Sequence, residues 1–313
     1  MGLDLVVWGS SPFTVRILDG LASKGRTPAA VVSVADRPAG RGLKSRPTPV
    51  SAWSERRNIR LFKVEDLREP NTLEAVRSLG GDLGVVASFG RIIPREYLDI
   101  YPFGFINVHP SLLPSLRGAA PIPRALMQGL EVTGITLARL DEGIDTGDII
   151  AGCEVPIDPE DDAGSLEEKL AVSSIPLLLE CLVILEEEGL LPGRNQPEEG
   201  ASYAPPLAKE ERRIDWAAER SVVNNLVRAM SPSPGAYTCF RGKRLKILRC
   251  RPVDLEERPP GTVSLPSKER MAVHARDGAL EMILLQPEGS RAMDASEFIR
   301  GYRPEDGMSL GWD

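Results

Sequence analysis

Asn107 and His109 stand two residues apart at the end of the apolar run Phe105–Val108, and His109 is one of only two histidines in the 313-residue chain. Beyond a strand end of an α/β sheet is where substrates and reactive side chains gather. An asparagine closing an apolar run is costly unless its amide is hydrogen-bonded. Taken alone, the pair reads as a satisfied structural Asn and a loop His. Asp145, inside the acidic turn Asp141-Glu142-Gly143-Ile144-Asp145-Thr146-Gly147, reads alone as turn punctuation. Together the three supply an amide donor, an imidazole and a carboxylate able to orient it. That set suits acyl transfer without a covalent intermediate.

Other chemistries lack their residues. There is no Gly-x-Ser-x-Gly nucleophile elbow, no cysteine close in sequence to a histidine, and no phosphate loop ending in Gly-Lys-Ser/Thr. Gly9-Ser10-Ser11-Pro12 is not a dinucleotide fingerprint. Two distant histidines and four scattered cysteines (Cys153, Cys181, Cys239, Cys250) make no metal-ligand set, so no metal is expected.

The elements that position these residues follow from patterning. Leu3–Trp8, Ala29–Val34, Ile59–Val64, Leu83–Ser88 and Phe105–Val108 read as buried strands. They alternate with helix-like stretches opening at Ser11-Pro12, Val50 and Thr72. The alternation predicts a doubly wound, Rossmann-like parallel sheet in an α/β domain. Gly134–Leu140 and Asp148–Val155 read as two strands joined by the acidic turn. A helix is expected over Ser165–Glu188, opened by a capping box of Ser165 and Glu168 and disturbed by Pro176. Asp36–Pro49 reads as a long Gly/Pro/basic loop.

Residues 189–206 are Gly/Pro-rich and aperiodic and read as a linker between a first domain, 1–188, and a second, 207–313. The second domain shows a short helix, Glu219–Met230, and then short strand-like runs. They predict a small OB-like β-barrel. Net charge is −7, with the acidic excess before residue 207 and a slight basic excess after it. Arg241, Lys243, Arg244, Lys246, Arg249 and Arg251 form an acid-free run. Alone it reads as a solvated strand face, with nucleic-acid contact as the alternative. No stretch has the ~20 apolar residues a membrane span needs. The N-terminus lacks a signal-peptide pattern, and a cytoplasmic setting with reduced thiols is expected.

Three runs carry a family resemblance: Ile106-Asn107-Val108-His109-Pro110-Ser111-Leu112-Leu113-Pro114, Arg117-Gly118-Ala119-Ala120-Pro121-Ile122, and Asp141–Asp148. With Asp36–Gly42, Phe89–Pro94, Tyr203-Ala204-Pro205, Ile214-Asp215-Trp216 and Pro234–Tyr237, they resemble the methionyl-tRNA formyltransferase family over nearly the whole chain. The sequence departs from the family's usual pattern at Ser10-Ser11-Pro12 and at Ser88.

The resemblance implies a folate-binding catalytic domain at 1–188 and a tRNA-binding domain at 207–313. The formyl donor would be 10-formyltetrahydrofolate, and the acceptor the free amine of initiator methionyl-tRNA. Asn107, His109 and Asp145 would be the catalytic residues. Asn107 and a protonated His109 would face the formyl oxygen, with Asp145 holding the imidazole. Ser111, Leu112, Leu113 and Pro114, with Phe89, Gly90 and Ile92, would line the folate site, and Asp141, Glu142 and Gly143 would meet the pterin. Arg37, Arg41, Lys44 and Arg46 would meet the tRNA acceptor stem, and Arg241, Lys243, Arg244 and Lys246 phosphates elsewhere. A monomer is expected. The competing readings are a formyltransferase acting on an amino sugar nucleotide, which shares the same core, and a non-catalytic RNA-binding module.

Overall fold

The first strand, β1 (Leu5–Gly9), is buried at all five positions, as a central parallel strand covered on both faces must be. The computed structural model describes residues 2–39 and 44–311, with backbone alone at 37–39 and 44–45. Contacts divide the chain into two units, Met1–Pro121 with Val132–Pro156 and Glu167–Pro205, and Ile122–Glu131 with Ile157–Leu166 and Pro206–Asp313.

In the first unit, β1 leads into α1 (Pro12–Ser23), where Ser11 caps the helix by accepting from the Thr14 N–H and proline fills the first turn. Then come β2 (Ala30–Val34), a small hairpin of β3 (Arg37–Ala39) and β4 (Lys44–Arg46), α2 (Pro49–Arg57), β5 (Arg60–Val64), α3 (Thr72–Arg77), β6 (Leu83–Ala87) and β7 (Phe105–His109). After α4 (Pro121–Met127) follow β8 (Val132–Arg139), β9 (Ile149–Pro156) and α5 (Ala163–Glu188), of which α5 lies in this unit from Glu167 onward.

The sheet order is β5-β2-β1-β6-β7-β8-β9. Strands β5, β2, β1, β6 and β7 are parallel, as expected, whereas β8 and β9 form an antiparallel hairpin that extends the sheet. The chain reverses its winding between β1 and β6, which opens a crevice beyond their carboxyl ends. Close approach there demands Gly9: a Cβ would stand 2.3 Å from the Thr14 side chain and 2.6 Å from the Ala87 carbonyl. Trp8 anchors the core below, its ring edge-to-face with Phe89, Tyr97 and Phe105 and its Nε1–H donating to the Tyr101 hydroxyl at 3.2 Å.

Three expectations change. The Asp36–Pro49 loop contains the β3–β4 hairpin, which pairs Arg37 with Arg46 and Ala39 with Lys44. Helix α5 starts at Ala163, and Asp162 caps it: its Oδ1 accepts from the Ser165 N–H at 2.9 Å, while Ser165 Oγ accepts from the Asp162 N–H at 3.0 Å. Ser165 therefore plays the reciprocal part of the box, and Glu168 instead pairs with Arg16. Residues 189–205 are not a bare linker, because Arg194 and Ile149 exchange both backbone hydrogen bonds and Ser202 and Ala204 bond the backbone of Arg117.

The second unit holds α4 from Ile122, the first turn of α5, α6 (Arg220–Met230), β10 (Ala236–Phe240), β11 (Lys243–Val253), β12 (Val263–Ser264), β13 (Ala272–Ala275), β14 (Gly278–Pro287), β15 (Met293–Asp294) and α7 (Ala295–Tyr302). Its antiparallel sheet runs β10-β11-β14-β13-β12, with β15 on β14. Irregular register near Arg249 bends β11, as bulges do. Instead of a direct pairing of β10 with β12, the segment Gly307–Gly311 spans the gap. Leu310 N–H donates to Gly261, Gly311 N–H to Cys239, and the Met308 carbonyl accepts from Val263. Val223, Val227, Ile247, Met282 and Phe298 form the middle of this unit's core.

His274, 1% exposed on β13, meets Ser264 Oγ through Nε2 at 2.8 Å. Burial and the nearby Arg258 charge, only partly offset by Asp306, push its pKa below the ordinary 6.5. The unfolded chain, with an ordinary imidazole, binds this proton at a pH where the native state does not. Stability is therefore unaffected by this group well above pH 6.5 and falls as pH drops below that value. Urea unfolding of wild type and His274→Asn from pH 8 to pH 5 should show a shallower acid loss in the variant. Equal slopes would remove His274 from the account.

Candidate active site

Strand alternation puts Asn107 and His109 on one face of β7, and both are buried, at 9% and 4% exposure. Asn107 lies opposite Val86 of β6 and Ala138 of β8, and His109 opposite Thr136. The turn between β8 and β9 then carries Asp145 to them. Asn107 Nδ2 donates to Asp145 Oδ1 at 2.9 Å, and the Gly118 N–H donates to Asp145 Oδ2 at 2.8 Å. His109 Nδ1 faces the same Oδ2 at 3.6 Å, too far for a hydrogen bond but close enough for charge to matter. Asp145 adopts φ 54°, the left-handed region that aspartate tolerates better than most residues.

His109 Nε2 lies 2.9 Å from the Leu116 carbonyl. A carbonyl only accepts, so this nitrogen carries a proton and donates it there. The remaining ring position, Nδ1, is the one next to Asp145. The second N–H of the Asn107 amide has no partner among the described residues. One amide donor is thus fixed by Asp145 and the other is left for a ligand.

The remaining sequence-predicted residues divide. Ser111 is fully buried, with Oγ donating to the Ser115 carbonyl at 2.6 Å. Thr136 Oγ1 donates to the Ser111 carbonyl and accepts from the Leu113 N–H. Leu113 packs with Ala138 and Ile149, while Leu112 and Pro114 are half-buried. Phe89 is core, edge-on to Trp8, so its ring lines no open surface. Gly90 is exposed at φ 76°, and Ile92 is 77% exposed. The Asp141 carboxylate is occupied within its own turn by the Gly143 N–H and the Thr146 hydroxyl, and Glu142 pairs with Arg95. Gly143 is exposed.

The structure adds Gln196 and Asn195, which patterning missed, the first bonded to Arg117 of the Arg117-Gly118-Ala119-Ala120-Pro121-Ile122 motif. Arg117 is 2% exposed and donates from Nε to Gln196 Oε1 at 3.0 Å. Gln196 Nε2 donates to the carbonyls of Asp145 and Gly147 at 2.9 and 2.7 Å. Asn195 Nδ2 donates to Asp148 Oδ1 at 2.7 Å. The one available signal was a long stretch without periodicity, since such segments are so often functional.

The basic residues divide as well. Arg46 is exposed, Arg37 and Lys44 are described by backbone alone, and Arg41 lies outside the described residues. On the second unit, Arg241 is turned to the end of α7, donating to the Tyr302 and Arg303 carbonyls. Arg249 pairs with Glu160 and Arg251 with Glu281. Lys243 and Arg244 are exposed and Lys246 half-buried, with no side-chain ion pair among the described residues. Arg244 lies 4.6 Å over the Tyr237 ring. Among the described residues, no cluster of His, Cys, Asp or Glu could hold a metal ion, and no helix is long and apolar enough to cross a membrane.

Comparisons with known proteins agree with this geometry. A formyl transferase family model matches residues 4–182, and a model of the formyl transferase C-terminal domain matches residues 206–303. The methionyl-tRNA formyltransferase of Thermus thermophilus is 44% identical over 310 residues, covering 99% of each chain. That of Geotalea uraniireducens is 38% identical over 310 residues, covering 99% of this chain and 98% of its own. HypX from Aquifex aeolicus, solved in complex with tetrahydrofolic acid, shares the fold with a TM-score of 0.69 at 19% identity. It covers all of this chain, which spans about half (51%) of HypX. With both parts of its length matched and full-length relatives this similar, the chain belongs to the methionyl-tRNA formyltransferase family.

Proposed function

We propose that the protein transfers the formyl group of 10-formyltetrahydrofolate to the α-amine of initiator methionyl-tRNA. The observation that carries this reading is the Asn107 amide, anchored through one N–H by Asp145, with the other unpartnered among the described residues, on the strand face it shares with His109. The folate supplies an activated formyl carbon: the amine adds to it, the bond to the folate nitrogen breaks, and the amine's proton is lost as that nitrogen gains one. Negative charge gathers on the formyl oxygen in between. The free Asn107 N–H is the donor for that oxygen, and because Asp145 already holds the amide, little reorganisation is needed when charge develops. His109 adds positive charge and a second donor when Nδ1 is protonated. Asp145 keeps both in place.

The residues fit a folate. Exposed Gly90 and Ile92 offer an apolar contact for a pterin, beside which the exposed Glu142 and Gly143 of the acidic turn would supply backbone groups. A Cβ at Gly90 would meet nothing within 4 Å, so the surface there is open. Ser111–Pro114 shapes the floor rather than contributing free polar atoms, because the Ser111 hydroxyl and carbonyl are already bonded.

The test is direct: incubate the protein with 10-formyltetrahydrofolate and charged initiator tRNA and look for formylmethionine. Its absence sinks the reading, and formylation of an amino sugar nucleotide instead would establish the competing acceptor. In this reading the protein works as a monomer in the cytoplasm.

For the tRNA, Lys243, Arg244 and Lys246, whose side chains have no ion pair among the described residues, are the phosphate-binding group on the second unit. Replacing all three by alanine should weaken tRNA binding at low salt. It should also flatten the slope of log affinity against log salt by roughly 2–3, about one per lost phosphate contact. An unchanged slope would place the interface elsewhere.

A further inference from the structure

Residues 192–200 are exposed at every position except Gln196, which is half-buried. All three of its amide's strongest hydrogen-bonding groups are used. Oε1 accepts from Arg117 Nε, and the two N–H groups of Nε2 donate to the Asp145 and Gly147 carbonyls. Two carbonyl acceptors on one side and a guanidinium donor on the other fix the amide's orientation, because a flipped amide would set oxygen against oxygen and N–H against N–H. The bonded groups belong to the two loops that meet at the site. The Asp145 and Gly147 carbonyls flank Thr146 in the turn that presents the Asp145 carboxylate. Arg117 precedes Gly118, whose N–H donates to that same carboxylate. One side chain therefore clips the carboxylate's turn and the loop that donates to it.

We infer that Gln196 is a positioning residue for formyl transfer: it sets the Asp145 carboxylate where Asn107 and His109 need it. The inference rests on the function proposed above. Asp145 sits at positive φ in the half-buried part of its turn, a conformation that surrounding bonds must hold. Apart from the carboxylate's own partners, Gln196 supplies the bonds that tie the backbone carbonyls of Asp145 and Gly147 to a neighbouring segment. Backbone pairing of Arg194 with Ile149 brings Gln196 to this position.

The experiment compares Gln196→Leu and Gln196→Glu with wild type in the full chain, measuring kcat and KM for both substrates on folded protein. Gln196→Leu should lower kcat about 10–100-fold, the scale of a misplaced catalytic group, with both KM values within about threefold of wild type. Gln196→Glu keeps an acceptor for Arg117 but loses both donations to the turn, so its kcat should fall at least as far. It also serves where the leucine variant folds poorly. The decisive readout is a double-mutant cycle: in an Asp145→Ala background, Gln196→Leu should change kcat by less than about twofold, because its effect runs through Asp145. A folded Gln196→Leu protein with wild-type kcat, or a full further loss in the Asp145→Ala background, overturns the inference. A wild-type protein that formylates no methionyl-tRNA overturns the proposed function and this role with it, whereas an active wild type indifferent to Gln196 overturns this role alone.

Discussion

Asn107→Ala should lower kcat for methionyl-tRNA formylation by about 100–1,000-fold, the usual consequence of removing one preorganised oxyanion donor. The amide meets the Asp145 carboxylate with one N–H and keeps the other for the reacting oxygen, so alanine removes both the donor and the carboxylate's partner. The loss belongs in kcat because the oxygen carries full charge only on the way to product. KM for the folate should move little. Asp145→Ala should produce a loss of similar order by a different route: Asn107 and His109 both remain, without the group that aligns them. The check is steady-state kinetics with each substrate varied in turn. Turnover near wild type in both variants would show that another part of the molecule stabilises the charge.

Trp8→Ala should cost about 3–5 kcal/mol of folding stability, the range for deleting a large buried aromatic side chain. Trp8 is fully buried and touches three aromatic rings from β6's following loop, the Arg95–Tyr97 turn and β7, so its loss opens a cavity that several elements would have to close together. Trp8→Phe should cost less, because a ring still meets those neighbours while the Nε1–H to Tyr101 is lost. Urea unfolding midpoints at constant slope provide the measurement. A loss below about 1 kcal/mol for alanine would mean that the core recloses around the gap. The two predictions separate cleanly. Trp8 should change how much protein is folded, and Asn107 what the folded protein does.

Patterning was enough for the parallel strands because strands buried on both faces are mostly apolar, as β1, β2, β6 and β7 are apart from Ser33, Asn107 and His109. It was enough for Ser11-Pro12 because a cap and an N-terminal proline act within one turn. It did not reveal that β8 and β9 run antiparallel, since strand direction depends on which edge a segment reaches. It also placed the α5 cap three residues late. Asp162 and Ser165 both fit a capping role, and only the folded backbone decides which residue stands outside the helix.

For the site, the order of residues alone determined that Asn107 and His109 share a strand end and that an acidic turn joins a strand pair, because these are short-range facts. It also placed six cations in one run, but not which of them have partners: Arg249 and Arg251 find carboxylates from distant stretches, while the Lys243 and Arg244 side chains find none among the described residues. Phe89 lay within a motif expected at the folate pocket, and its ring proved to be core. The tertiary structure decided that Asp145 bonds Asn107, that His109 Nε2 is committed to Leu116, and that Gln196, 51 residues from Asp145, holds its turn. The physical reason is one of range. Periodicity and caps are written over a few neighbouring residues, whereas a hydrogen bond between loops depends on where separate parts of the chain come to rest.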